Sequence, residues 1–85
     1  MESYGELLKN ARETKNLDYE TVERETSIIR KFLEGLENED NSAFPGEAYM
    51  LGFMRNYAEY LGVSPDAVLT LYKNKVLQES PVPEA

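Results

Sequence analysis

Apolar residues recur along most of the chain at the three- and four-residue spacing of an α-helix, and no segment alternates as a strand would. This pattern predicts an all-α domain of five helices, which span about Tyr4 to Lys15, Asp18 to Thr26, Ile28 to Glu37, Pro45 to Leu61 and Ser64 to Val76. Residues of the kinds that cap helix N-termini precede or begin four of them: Ser3, Asp18, Ser27 and Ser64. We therefore expect one compact domain over residues 1–77, followed by a flexible, Pro-rich tail over residues 78–85.

The fourth predicted helix carries two apolar stripes, where a small domain usually buries one. At about 100° per residue, one stripe falls within about 80° and is predicted to face the core: Leu51, Met54, Ala58 and Leu61. The second stripe, centred about 120° away, is aromatic: Tyr49, Phe53, Tyr57 and Tyr60. Aromatic residues at this spacing often belong to the core, and these four would then be buried under the fifth helix or the tail. Three of these four carry hydroxyls, however, which favours a surface that is wet in one state and buried in another.

Composition excludes several classes of function. The chain has 85 residues, neither cysteine nor histidine, and a net charge of −7. Disulfides, thiolate metal sites and the commonest general base are therefore absent. Glu37, Glu39 and Asp40 are expected in a solvated loop without a nucleophile, and Arg12 is expected to face water. We predict a non-enzymatic protein with no cofactor, metal or small-molecule substrate, and no segment is apolar enough to span a bilayer.

The second and third helices have the layout of a helix-turn-helix. The third would then be the DNA reader, with Arg30 and Lys31 as its exposed cations. An acidic run follows directly (Glu34, Glu37, Glu39 and Asp40), and it would repel phosphates within a Debye length of about 10 Å. DNA is therefore an unfavoured partner, and the third helix is interpreted as scaffold.

Several motifs in the chain resemble those of known families of domains. The spacing of the second and third helices resembles phage-repressor-like (lambda-repressor-like) domains. Over residues 3 to about 72 the chain then resembles the cytoplasmic domain of the RodZ family, through Gly5-Glu-Leu-Leu8, Phe32-Leu-Glu-Gly-Leu-Glu37, Phe44-Pro-Gly46, Tyr49-Met-Leu-Gly-Phe-Met-Arg-Asn-Tyr-Ala58 and Tyr60-Leu-Gly62. Two positions depart from the usual helix-turn-helix pattern: Glu23 replaces a small Ala, and Ser27 replaces a turn Gly.

The resemblance implies an adaptor for the bacterial cytoskeleton. RodZ proteins are single-span inner-membrane proteins whose cytoplasmic domain binds the actin-like protein MreB and links it to cell-wall elongation, maintaining rod shape. This chain would be the cytoplasmic fragment, its tail leading to a missing juxtamembrane and transmembrane segment. The expected partner-binding residues lie on the fourth helix, with Phe53 and Tyr57 as anchors: Phe53, Tyr57, Tyr49, Tyr60, Met50 and Arg55. The alternatives are a sequence-specific DNA-binding regulator using Arg30 and Lys31, and self-association through the aromatic stripe.

Overall fold

The computed structural model describes residues 2–79 and contains five α-helices. Their bounds are α1 Tyr4–Thr14, α2 Tyr19–Thr26, α3 Arg30–Glu37, α4 Glu47–Leu61 and α5 Pro65–Glu79, with a 3-10 turn at Asn41–Ala43. No strand occurs within these residues. The predicted all-α, five-helix class is confirmed. None of the described helices combines the length and the hydropathy that crossing a bilayer requires.

Three of the four predicted side-chain caps form. The Ser3 hydroxyl accepts from the Glu6 amide at 3.2 Å, and the Asp18 carboxylate accepts from the Thr21 amide at 2.8 Å. Ser64 caps α5 in the same way. Helix α5 continues to Glu79, two residues into the predicted tail, because nothing in its sequence stops it before Pro81. The rest of the predicted tail, residues 80–85, lies outside the described residues.

Two predicted helix starts are wrong. Ser27 is not the N-cap of α3 but the left-handed residue that ends α2, at φ 63°, so it supplies the turn conformation that a Gly would otherwise adopt. Helix α3 therefore begins at Arg30, two residues later than expected, and the Glu23 carboxylate accepts from the Arg30 amide at 2.8 Å. Pro45 lies before α4, whose N-cap is Gly46.

The core lies where α1, α3, α4 and α5 meet, with α2 packed against α3 and α4. Its large, fully buried aliphatic side chains come from every helix: Leu8, Val22, Leu33, Leu36, Met50, Met54, Leu61 and Val68. Helix α1 lies directly on the end of α3 at Gly5, where a Cβ would collide with the Glu37 carbonyl. The Gly5 amide donates to the Glu39 carboxylate at 3.0 Å. This close approach places the C-terminal end of α3 inside the domain.

Candidate functional site

Helix α4 is a 15-residue helix with a well-defined end. Gly62 is left-handed at φ 78°, and its amide donates to the Ala58 and Glu59 carbonyls. The Val63 amide also donates to the Ala58 carbonyl, at 2.9 Å. These bonds satisfy carbonyls of the last turn and reverse the chain into α5. The position of α4 is therefore fixed at its C-terminal end by the backbone.

The face of α4 that contacts the core is rotated from the predicted one. Five side chains on it are at most 2% exposed: Met50, Met54, Tyr57, Ala58 and Leu61. Burial of Met54, Ala58 and Leu61 confirms part of the prediction, but Leu51 is only half-buried. The expectation that Tyr57 and Met50 face a partner is wrong, because both side chains point into the core. On a helical wheel, the centre of these five buried residues lies roughly 40° from the centre of the predicted core stripe, on the side of Tyr57.

A buried carboxylate explains this rotation. The side chain of Glu37 is 1% exposed and accepts from the Tyr57 hydroxyl at 2.5 Å and from the Tyr19 hydroxyl at 2.8 Å. Arg12 donates to both of its oxygens, at 2.8 and 3.0 Å. A third Arg12 nitrogen donates to the Leu17 carbonyl. Glu37, Arg12, Tyr19 and Tyr57, here called the Glu37 network, therefore connect α1, α2, α3 and α4. The predictions of a solvated Glu37 and a water-facing Arg12 are wrong.

The pKa values of Arg12, Tyr19 and Tyr57 are all raised within this network, so these three residues keep the protons that they donate. The hydrogen bond with Glu37 raises the pKa of Arg12, against the opposing effect of burial. Burial, followed by the bond to Glu37, raises the pKa of Tyr19 to about 12. The same two causes raise the pKa of Tyr57 still further. Both tyrosines therefore remain hydrogen-bond donors at neutral pH, and α4 is held in one rotation about its axis.

The sequence contains a signal for this network, but the signal lies in the spacing of charged residues and not in the pattern of apolar ones. Arg12 follows Leu8 by four residues and Glu37 follows Leu33 by four, so each charge extends an inward apolar stripe by one turn. Two opposite charges at the ends of two buried stripes indicate a buried pair. When only apolar residues are counted, Arg12 and Glu37 do not belong to either stripe and are assigned to the solvent.

The remaining aromatic residues of α4 form the exposed aromatic face, defined as Tyr49, Phe53 and Tyr60. Tyr49 is 61% exposed. Phe53 is half-buried, with its ring centroid 4.7 Å from that of Phe32 and 6.3 Å from that of Phe44. Phe44 itself is buried and stacks on Phe32, so it packs onto the domain. These rings support Phe53 from beneath and leave its outer part on the surface.

Tyr60 and Arg55 complete the outer side of α4. The half-buried Tyr60 donates its hydroxyl to Glu25, and this bond raises the pKa of Tyr60. Arg55 is exposed, and its Nε lies 3.7 Å from a Glu59 oxygen. An exposed ion pair at such a distance contributes little to stability, so the Arg55 guanidinium is available to a partner.

Helix α3 lacks the features of a DNA reader. Arg30 is paired with Glu34 at 3.1 Å, and its guanidinium lies 5.1 Å from the centre of the Tyr19 ring. The N-terminus of α3, where a helix favours phosphate, is capped by the Glu23 carboxylate. Lys31 is exposed. The geometry therefore agrees with α3 as scaffold.

Polar atoms inside the described part of the chain are satisfied. No buried side-chain nitrogen or oxygen there lacks a hydrogen-bond partner. Across residues 2–79 no three acidic side chains are grouped closely enough to hold a metal ion. The features of the domain that remain available for binding are thus surfaces, chiefly on α4.

Comparison with known proteins agrees with this architecture. Residues 7–68 match a family model described as a helix-turn-helix domain. The chain is also similar to a chain in a solved structure in which bacterial actin MreB assembles in complex with the cell shape protein RodZ, at 26% identity and a TM-score of 0.80. The match covers 91% of this chain and 94% of that one. No curated protein matches the chain.

Proposed function

The chain belongs to the helix-turn-helix domain family in its RodZ-type form, and we propose that it is an adaptor that binds the actin-like protein MreB through α4. The likeness to a chain from a RodZ–MreB assembly over 91% of its length supports this proposal. Such an adaptor does its work by binding rather than by catalysis.

The exposed aromatic face is the observation that carries the proposal. Tyr49 is 61% exposed on a helix whose core contacts are already complete. Tyrosine and phenylalanine combine large apolar area with few rotatable bonds, and they are enriched at the centres of protein interfaces. Phe53, held by the rings beneath it, is the anchor that a partner covers.

Other residues of α4 act at the edge or from below. Tyr60 is proposed to close one edge of the interface. Arg55, also predicted to bind a partner, lies on the opposite flank of α4 beside Leu51 and Gly52, outside the exposed aromatic face. Met50 and Tyr57 are buried and support the face without touching the partner. Tyr57 does so through the Glu37 network, which fixes the direction in which Phe53 points.

The RodZ-type family also supports a location. We propose that this domain is the cytoplasmic part of a single-span inner-membrane protein that links MreB to the machinery of cell-wall elongation. Tethering to a membrane and binding to a polymer both raise the effective concentration of partners. An individual domain can then bind weakly and still remain attached.

Co-pelleting with MreB filaments tests the proposal. Phe53→Ala is expected to weaken binding by about 30-fold, as truncation of an interface anchor typically costs about 2 kcal/mol. Tyr49→Ser should weaken it by about fivefold, since an exposed edge residue contributes about 1 kcal/mol. The control is Leu77→Ser, which removes an exposed apolar side chain from α5 (71% exposed). Full binding by a folded Tyr49→Ser/Phe53→Ala variant would refute docking through this face.

Duplex DNA is the competing ligand for a helix-turn-helix. Binding at moderate salt that is lost in an Arg30→Ala/Lys31→Ala variant would favour a regulator instead. Because the carboxylates of Glu23 and Glu34 lie beside Arg30, we expect no binding to duplex DNA.

A further inference from the structure

A second surface lies on the flank of α4 opposite the exposed aromatic face, where α4 meets α5. It is an open groove of about 630 Å³. Four of its nine lining residues are aliphatic: Leu51, Leu69, Val76 and Leu77. Leu77 is 71% exposed and Val76 is 37% exposed, so the α5 end of the groove is uncovered.

The charges at the rim of this groove are opposite to those of the chain as a whole. The net charge of the chain is −7, yet Arg55 and Lys73 both border the groove. Lys73 forms no ion pair with any described residue. The one carboxylate at the rim, Glu47, already accepts from the Tyr72 hydroxyl at 2.7 Å. A neutral hydroxyl does not cancel a carboxylate charge, so two cations and one carboxylate give the rim a net charge of +1.

Gly52 opens one wall of the groove. It lies inside α4, where glycine is less favourable than alanine. A Cβ added at Gly52 would have no atom within 4 Å, so nothing in this domain requires the missing side chain. A flat position of this kind allows another backbone to approach closely.

We propose that the α4–α5 groove binds an amphipathic helix of a partner protein, with carboxylates flanking its apolar stripe. A groove between two packed helices accepts a third helix through anchors spaced one turn apart. Carboxylates on that helix complement Arg55 and Lys73. An anionic membrane or a second copy of this chain fits less well, because either would face a net charge of −7. The proposal does not depend on binding to MreB.

Amide NMR titration of the full chain with a synthetic helical peptide tests this inference. The probe carries leucines one turn apart on one face with glutamates beside them, and its control carries lysines in place of the glutamates. The glutamate peptide should bind saturably and shift the amides of Gly52, Lys73 and Leu77. The lysine peptide should bind at least about tenfold more weakly, since two attractive charge pairs become repulsive. Equal binding of the two peptides, absence of binding, or shifts confined to another surface would overturn the proposal.

Variants at the groove make the test specific. Leu77→Ser should abolish binding of the glutamate peptide, and Lys73→Glu should reduce the preference for glutamate over lysine. Ile29→Ser is the matched control, because Ile29 is an exposed aliphatic residue (47%) outside the groove. Both groove variants should co-pellet with MreB as the unmodified chain does, which separates this site from the aromatic face. Two results would overturn the choice of a partner helix. Binding to phosphatidylglycerol vesicles that Leu77→Ser abolishes would identify a membrane as the ligand, and a peptide-free dimer whose contacts map to the groove would identify a second copy of this chain.

Discussion

Replacing Arg12 with methionine removes the cation that neutralises the buried carboxylate of Glu37. The Glu37 side chain is 1% exposed and that of Arg12 is 12% exposed, so water cannot take over the role of the guanidinium. Breaking a buried ion pair by removing one partner typically costs about 3–5 kcal/mol. Tyr19 and Tyr57 would still donate to the carboxylate, which places the expected loss near 3 kcal/mol. A domain of this length has a free energy of unfolding of about 4–13 kcal/mol, so the variant should fold but be much less stable.

Urea unfolding followed by far-ultraviolet circular dichroism measures this loss. With an m-value of about 1–1.5 kcal/mol/M, the midpoint should fall by about 2–3 M. The matched control is Lys9→Met on the same helix, where the side chain is exposed and the change should stay within about 0.5 kcal/mol. A second variant, Arg12→Met/Glu37→Gln, removes the buried charge; its amide oxygen can accept from one tyrosine hydroxyl, and its amide N–H can donate to the oxygen of the other. It should recover about 1–2 kcal/mol relative to Arg12→Met alone.

The reasoning fails if Arg12→Met is as stable as Lys9→Met, because Glu37 would then not need its cation. It also fails if adding Glu37→Gln lowers stability further. In that case the carboxylate would be stabilised by the tyrosines alone, and the network would not be organised around a charge pair.

Three further outcomes follow from the structure. Gly52→Ala should raise the free energy of unfolding by about 0.5–1 kcal/mol in urea unfolding, since an added Cβ meets nothing; a loss would mean that Gly52 is needed inside the domain. Gly5→Ala should lower it by at least about 1–3 kcal/mol, because the new methyl collides with the Glu37 carbonyl; unchanged stability would show that α1 can shift freely. The free energy of unfolding should also fall between about pH 10 and pH 12. Tyrosines of the unfolded chain ionise near pH 10, whereas the raised pKa values of Tyr19 and Tyr57 keep both protonated in the folded state. The contribution of these two tyrosines is complete below pH 10, and Tyr57→Phe should make the alkaline decline shallower, by up to about 1.4 kcal/mol per pH unit.

Much of the candidate site could be predicted, but its orientation could not. The motif from Tyr49 to Ala58 predicts a binding surface on α4, and the predicted burial of Met54, Ala58 and Leu61 is confirmed. A helical wheel gives angles between residues of one helix, but it does not give the angle at which that helix meets its neighbours. The inward direction of Tyr57 is set by its hydrogen bond to the buried Glu37, a contact that a helical wheel does not contain.

Sequence alone determined the number of helices, their caps at Ser3, Asp18 and Ser64, and the presence of more apolar surface on α4 than one stripe of core contacts needs. These features depend on neighbours within a few residues, where periodicity and capping chemistry act. The tertiary structure decided which side of α4 faces solvent, because that depends on the bonds from Glu37 to Arg12 and Tyr57, which are 25 and 20 residues away in sequence. It also created the α4–α5 groove, which requires two helices to pack together and is absent from either one alone.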